Sequence, residues 1–297
     1  MQFNKKLIFS ILLLVIAGGI AVYVIFRAQK IPKFTDSLII TGDKFIIEKQ
    51  YSYLYTAEYP VSVQKILLTS GITNITGIFT KSGKPLDFQV QNNRELIVFF
   101  DKPVFGGEMI ELVIRAEILK NAPQINITGF GNNKYSLHYV TWERNLAKKI
   151  KKIVLPEGAV IDKVHTAVNE YEIEGNTVQF RWVFDGKQIL DISVDFTLSN
   201  GTINAIPAAI PVIMDNMVKF RVPKSLVQFA PAIRGDFSLW RDILMTEEGD
   251  YYIFQTDLAP GTYRYQYSYG YYVMADSGVL ERQYNNFGES YSVIIIQ

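Results

Sequence analysis

From Phe34 onward the chain is a succession of short runs of β-branched and aromatic residues, each cut off by Gly, Pro or Asn. "KFIIEKQYSYLYTA", "SVQKILLTS", "ELIVFF" and "EMIELVIRAEI" are representative. Residues of this kind fit a pleated, half-buried surface, and the punctuating residues supply the turns. The runs recur about every ten residues, the spacing of a β-sandwich. The fold class is therefore all-β. A short helix near 144–150, within "WERNLAKKIKK", is the one exception the pattern allows in the soluble part.

The chain also resembles itself. "KILLTSG" at 65–71 parallels "KIVLPEG" at 152–158, "ELIVFFD" parallels "FRWVFD", and "IELVIRAEI" parallels "LDISVDFTL". The offset shrinks from 87 to 84 to 80 residues, as it would if the second copy had shorter turns. Two tandem sandwiches, 36–120 and 121–199, account for three blocks in one order, with Leu68 and Leu155 at equivalent inward positions. Independent convergence of strand patterns is the competing account. "SNGTINAIPAAIPVIMDN" then loses the alternation and reads as a linker at 200–212, before a last domain at 213–297.

Ahead of the strands, residues 1–35 hold a different signal. "LIFSILLLVIAGGIAVYVIF", Leu7 to Phe26, contains no charge. As a helix it would be about 30 Å long, the thickness of a bilayer's hydrocarbon core. A cleaved signal peptide would have a shorter apolar region with a small-residue exit, whereas this run ends in bulky "VYVIF". A retained transmembrane anchor is expected. The lipid bilayer is then a partner through Leu7–Phe26. The short tail before the anchor and the large region after it suit a single-pass cell-membrane protein with its bulk extracytoplasmic, although basic residues flank both ends. Three sequons, at Asn74, Asn126 and Asn200, follow the span and are candidate glycosylation sites.

Charge and cysteine content narrow the classes further. Lys and Arg total 30 against 29 Asp and Glu, with no clustered basic excess, so nucleic acid is not an expected partner. There is no Cys, hence no disulfide framework, thiolate metal site or cysteine nucleophile.

The last domain carries the most specific blocks: "VKFRVP", "AIRGDFSLW", "GDYYIFQTDLAPGTYRYQYSYG" and "NNFGESYSVIII". In this order and spacing they resemble the glycogen-binding module of the AMP-activated protein kinase β subunit, also found in isoamylases and branching enzymes. The resemblance covers about the last quarter of the chain and implies an early-set immunoglobulin-like sandwich. Glucan-binding members stack sugar rings on two tryptophans and bond hydroxyls through a lysine and last-loop polar residues. Trp240 matches the first tryptophan, but Val273 stands at the second and Gln266 at the lysine, while the last loop offers Phe287, Glu289 and Tyr291. Tyr272 is the candidate replacement platform. Trp240, Gln266 and Tyr272 are thus the candidate carbohydrate contacts. The departures favour an architectural role, in which Trp240 packs on its own domain near Leu239 or Leu244. Tyrosines at 263, 265, 267, 269 and 271 alternate along one strand face and fit a sandwich core.

No catalytic constellation appears. His138 and His165, the only two histidines, fall in separate predicted strands without metal-ligand spacing. Nucleophile-elbow, P-loop and dinucleotide fingerprints are absent, and no cofactor is implied. Trp142 and Trp182 read as core anchors. The sequence therefore describes an N-terminal transmembrane helix followed by three tandem immunoglobulin-like β-sandwich domains, and it is not expected to be an enzyme. A structural or interaction protein, partnering other membrane or surface proteins, is the first reading. A membrane-tethered glucan- or glycan-binding protein is the alternative.

Overall fold

The computed structural model describes residues 33–297 apart from 42–43, 69–71, 93–94, 120–124, 144–146, 169, 185–187, 201–202, 228, 271 and 286–287. The apolar run at 7–26 lies outside the described residues, and among those described no helix is long and apolar enough to cross a membrane.

The chain is nearly all β, in a sandwich-like arrangement. Seven strands form a first unit: β1 (Lys33–Thr41), β2 (Lys44–Leu54), β3 (Val61–Leu67), β4 (Ile72–Thr80), β5 (Phe88–Gln91), β6 (Glu95–Val104) and β7 (Met109–Ile118). Seven more form a second: β8 (Ile125–Gly131), β9 (Lys134–Glu143), β10 (Ala147–Val154), β11 (Ala159–Thr166), β12 (Tyr171–Glu174), β13 (Thr177–Phe184) and β14 (Gln188–Leu198). In the first, neighbours run β1-β2-β7-β4 and β3-β6-β5; in the second they run β8-β9-β14-β11 and β10-β13-β12. The wiring is the same, strand for strand, so the sequence repeat is a repeat of topology. Leu68 and Leu155 follow the equivalent strands β3 and β10, and each packs against its unit's core. One strand departs from the alignment. Ile66 faces Leu96 while Ile153 faces Val178, two residues before the aligned Phe180. A slip of two keeps every side chain on its own face.

The two units are not the separate tandem sandwiches expected. Strand β1 pairs in parallel with β10, from Lys33 opposite Lys148 to Ile39 opposite Val154. This fuses parts of both units into one seven-stranded sheet, β12-β13-β10-β1-β2-β7-β4. On one face of that sheet Leu38, Ile40, Phe45, Ile47, Ile153 and Phe180 pack against Ile127, Leu137, Ile192 and Val194 of the second unit. Further along, Ile110, Leu112 and Ile114 pack against Leu96 and Val98 of the three-stranded sheet β3-β6-β5. At the seam Lys151 is buried, 3.6 Å from the Asp36 carboxylate, and donates a 2.6 Å hydrogen bond to the Tyr139 hydroxyl. The same seam overrides the helix expected near 144–150. From Ala147 the chain is strand β10, because pairing with β1 on one side and β13 on the other satisfies its backbone twice over.

The C-terminal unit begins earlier than a free linker would allow. Within 200–212, β15 (Ile206–Pro207) pairs in parallel with β8, and Ile206 is buried beside Val140 of β9 in the C-terminal core. One sheet then has the order β16 (Val212–Met214), β17 (Met217–Pro223), β21 (Tyr251–Asp257), β20 (Thr246–Glu248). The other is β19 (Ile243–Leu244), β18 (Ala232–Gly235), β22 (Gly261–Tyr269), β25 (Ser290–Ile296), β24 (Arg282–Tyr284), with β23 (Tyr272–Met274) also beside β22. Tyr265, Tyr267 and Tyr269 are buried between the sheets against Phe220 and Val222, and Tyr263 packs at their margin.

Candidate functional site

The "GDFSLW" stretch is a staple across two strands. A Cβ on Gly235 would stand 2.5 Å from the Arg264 carbonyl oxygen, so only glycine lets β18 approach β22 this closely. Asp236 then accepts from the Arg264 backbone N–H at 2.8 Å and from its guanidinium at 3.1 and 3.2 Å. It also accepts from the Trp240 indole N–H at 3.1 Å. Burial would raise the Asp236 pKa, but these hydrogen bonds hold it below the usual carboxylate range. The Ser238 hydroxyl ties the turn by accepting from Gly235 N–H at 3.0 Å and donating to the Arg241 carbonyl at 2.9 Å. Leu239 and Trp240 complete it in the left-handed region, at φ 51° and 61°, which bulky side chains seldom adopt.

This turn carries Trp240 onto the unit's surface rather than into its core. The indole is partly covered: the Tyr291 ring meets it edge-on with centroids 5.0 Å apart, and the Arg264 guanidinium lies 5.7 Å from its centroid. Neither leucine expected beside it contributes, since Leu239 and Leu244 are 80% and 69% exposed. Tyr291 in turn accepts from the Asn285 amide at 2.9 Å, and the same amide donates to Glu289 at 2.7 Å. The surface cluster is therefore Trp240, Tyr291, Arg264, Asn285 and Glu289. Gln266, the expected lysine replacement, does not join it. Its amide is buried and donates to the Ser290 carbonyl at 2.8 Å. For Tyr272 only the backbone is described, paired with Tyr269, and Phe287 lies outside the described residues. Sequence reasoning missed Arg264 and Tyr291 as partners of Trp240, because they sit on other strands that pairing brings alongside.

The sequons are placed differently from one another. Asn74 and Asn200 are exposed. Asn126 is 1% exposed, so its amide is unavailable to a glycan in this fold, a correction to the expectation. Trp142 and Trp182 have no described side chains.

A second constellation lies where the C-terminal unit meets the outer face of the sheet β11-β14-β9-β8. Along β14, Leu190, Ile192, Val194 and Phe196 point into the second unit's core, which turns Asp191, Ser193 and Asp195 outward. Both histidines of the chain arrive on that same face. His138 Nε2 lies 2.9 Å from Asp191 and His165 Nε2 lies 2.7 Å from Asp195. The C-terminal unit closes over the first pair: Ser290 Oγ donates to the other oxygen of Asp191. Burial, the larger influence, pushes the His138 pKa down, although Asp191 pulls it up. Burial would raise Asp191, but His138, Arg282 and Ser290 together hold it below the usual range. A neutral imidazole donating to an ionised carboxylate is the state that both directions describe. Deeper in the unit, Asp276 accepts from Tyr265 at 2.8 Å, Tyr267 at 3.3 Å and the Gly278 N–H at 2.8 Å. Burial nevertheless pushes its pKa up to about 6.

Ser290, Asp191 and His138 are the residue types of a nucleophilic triad in the wrong order. Such chemistry needs the imidazole between hydroxyl and carboxylate, so that it can take the hydroxyl proton. Here the carboxylate is in the middle, and the Ser290 hydroxyl is buried. What the arrangement can do is bind two units together through charge-assisted hydrogen bonds. Among the described residues no three His, Asp or Glu side chains are grouped to hold a metal ion.

No protein-family model and no curated protein sequence matches the chain. Among solved structures, it is similar to an M1 zinc metallopeptidase from Deinococcus radiodurans, at 10% identity and TM-score 0.37, over 56% of this chain and 41% of that one. A native yeast LTA4 hydrolase is similar at 10% identity and TM-score 0.37, over 56% of this chain and 28% of the other. The chain thus aligns with less than half the length of either neighbour. At this TM-score no activity carries across.

Proposed function

We propose that this is a single-pass, membrane-anchored, extracytoplasmic protein whose three immunoglobulin-like sandwich units form an interaction scaffold within a membrane or cell-surface assembly. The observation that supports this most is where the apolar surface lies. On the outside of the three-stranded sheet, Val63, Leu67 and Phe99 are 38%, 78% and 39% exposed on adjacent strands. Clustered exposed apolar side chains on a sheet face mark a contact surface. The polar groups able to do chemistry are instead used inside the molecule, at the joint between the second and C-terminal units. Carbonate extraction of membranes tests the anchor: the full chain should stay in the pellet, while a chain starting at Pro32 should be released. Native purification from membranes with mass spectrometry tests the assembly. A full chain that runs as a solitary species in mild detergent would sink it.

The alternative is a membrane-tethered glycan binder. It is favoured by the surface cluster in which Trp240 and Tyr291 sit beside Arg264, Asn285 and Glu289, a mixture of ring faces and hydrogen-bonding groups suited to sugars. Retention on glycogen, amylose or β-glucan resins would support it.

A further inference from the structure

The internal repeat shows what the free edge of β3 is built to receive. In the second unit, β10 is the outer strand of β10-β13-β12, and its free edge is filled by β1, paired in parallel along residues 148–154 of β10. Moved back by the 87-residue offset of the matching "KILLTSG" and "KIVLPEG" blocks, those seven positions become 61–67, which is the whole of β3. Strand β3 holds the same place in β3-β6-β5. Among the described residues no strand lies on its other side. Among the described residues, then, the first unit presents unfilled the edge that the second unit fills with an added strand.

An unpaired edge with apolar neighbours is a template for strand addition, and proteins usually blunt such edges. A register shift between Val61 and Val63 disturbs one end of β3, but Val63–Leu67 pairs regularly with Phe99–Glu95. Lys65 is the one charged side chain in the strand. Its repeat equivalent, Lys152, sits opposite Ser37 of β1 and so tolerates an added strand beside it. The rim is mixed: Gln64, whose side-chain amide donates to the Lys65 carbonyl at 2.9 Å, and Lys65 itself lie among apolar residues of both faces. Val63 and Leu67 are exposed on the outer one, and the half-buried Ile66 faces the core on the inner one.

We infer that β3 is a docking edge for an extended segment of a partner protein, added in parallel as β1 is added to β10. The segment would be β1-like: at least five residues, apolar at alternate positions, and small or acidic opposite Lys65. This deepens the assembly reading by naming the surface and the kind of partner. An assembly held by another surface would still purify natively if this edge failed.

The chain has no cysteine, which allows a cross-linking test on the full-length protein in detergent. The probe is a peptide of residues 33–41 carrying Ser37→Cys. By the β1–β10 register it should place that thiol opposite a Lys65→Cys variant. A Gln89→Cys variant on β5, the opposite edge of the same sheet, is the control. Disulfide formation in a glutathione buffer should be faster at Lys65→Cys than at Gln89→Cys by about tenfold or more. The unmodified peptide should compete and a scrambled one should not. A Val63→Glu/Leu67→Glu chain carrying Lys65→Cys should lose the preference. Equal rates at the two edges, or no saturable cross-linking at Lys65→Cys up to millimolar peptide, would overturn the inference. So would Lys65→Cys chains linking to one another in preference to the peptide, since a second copy would then be the occupant.

Discussion

His138 Nε2 stands 2.9 Å from Asp191 Oδ1 in a place closed to water, the two residues being 1% and 3% exposed. The second oxygen of Asp191 is taken by Ser290, which lies 99 residues further along the chain and in another unit. One carboxylate thus joins the second unit to the C-terminal one.

Replacing that carboxylate should loosen the joint. Asp191→Ala strands a buried imidazole N–H and a buried hydroxyl, and leaving a buried donor unsatisfied costs about 1–3 kcal/mol for each. Urea unfolding of the full chain in detergent should show a loss of that size, with faster proteolytic release of the C-terminal unit. Asp191→Asn, which keeps an acceptor for one donor, should lose less. A neutral Asp191→Ala would remove the joint from any role in stability.

Acid should weaken the same contact. Burial depresses the His138 pKa below its ordinary 6.5, so the unfolded chain takes up this proton before the folded one does. Stability is then greatest above 6.5 and is lost as the pH falls below it, by at most about 1.4 kcal/mol per pH unit. The lowered Asp191 pKa acts in the same direction at more acid pH: its stabilisation is present above the ordinary 3.8 and lost below it. His138→Gln, which keeps a donor but cannot titrate, should remove the loss near pH 6. A wild-type slope unchanged in His138→Gln would refute this assignment.

Asp276 should oppose it. Its pKa is raised from 3.8 to about 6, so the folded chain holds a proton that the unfolded chain releases. Its contribution is therefore present below the ordinary value and lost as pH rises through about 6, a change of about 3 kcal/mol. Between about pH 4 and 6 the His138 and Asp276 slopes have opposite signs, and the wild-type profile should be shallow. Asp276→Asn should expose the His138 slope, with stability falling toward acid, and His138→Gln should expose the reverse. Unfolding free energies of the three proteins across that range decide the matter.

Trp240→Ala should be moderate for the fold. An indole at the surface forfeits an aromatic pair, a cation–π contact and the hydrogen bond to Asp236, together about 2–3 kcal/mol, against the 3–5 kcal/mol of a buried tryptophan. Thermal unfolding measures this, and resin binding to glycogen, amylose and β-glucans is measured on the same samples. The assembly reading expects no retention by wild type. Retention that disappears in stably folded Trp240→Ala and Tyr291→Ala chains would establish the glycan reading instead.

The sequence by itself determined the β class, the repeat and the inward tyrosines of β22. These rest on a period of two and on turn residues, which act over a few neighbours and are written along the chain. The alternation that sends Ile192 and Val194 inward also sends Asp191, Ser193 and Asp195 outward, and "LDISVDFTL" displayed that much. Only the tertiary structure decided what those outward residues meet. His138 and Asp191 are 53 positions apart, and Ser290 is 99 beyond Asp191, so no local spacing announces the joint. The same holds for Trp240, whose companions Arg264 and Tyr291 are brought alongside by the pairing of β18, β22 and β25. The fusion of the two repeats had no local sign either. A strand's edge hydrogen bonds are backbone groups, identical in every residue but proline, so the sequence marks where a strand lies but not which strand lies beside it. That choice turned an expected helix near Ala147 into β10 and an expected linker at Ile206 into β15, and among the described residues it left β3 with an open side.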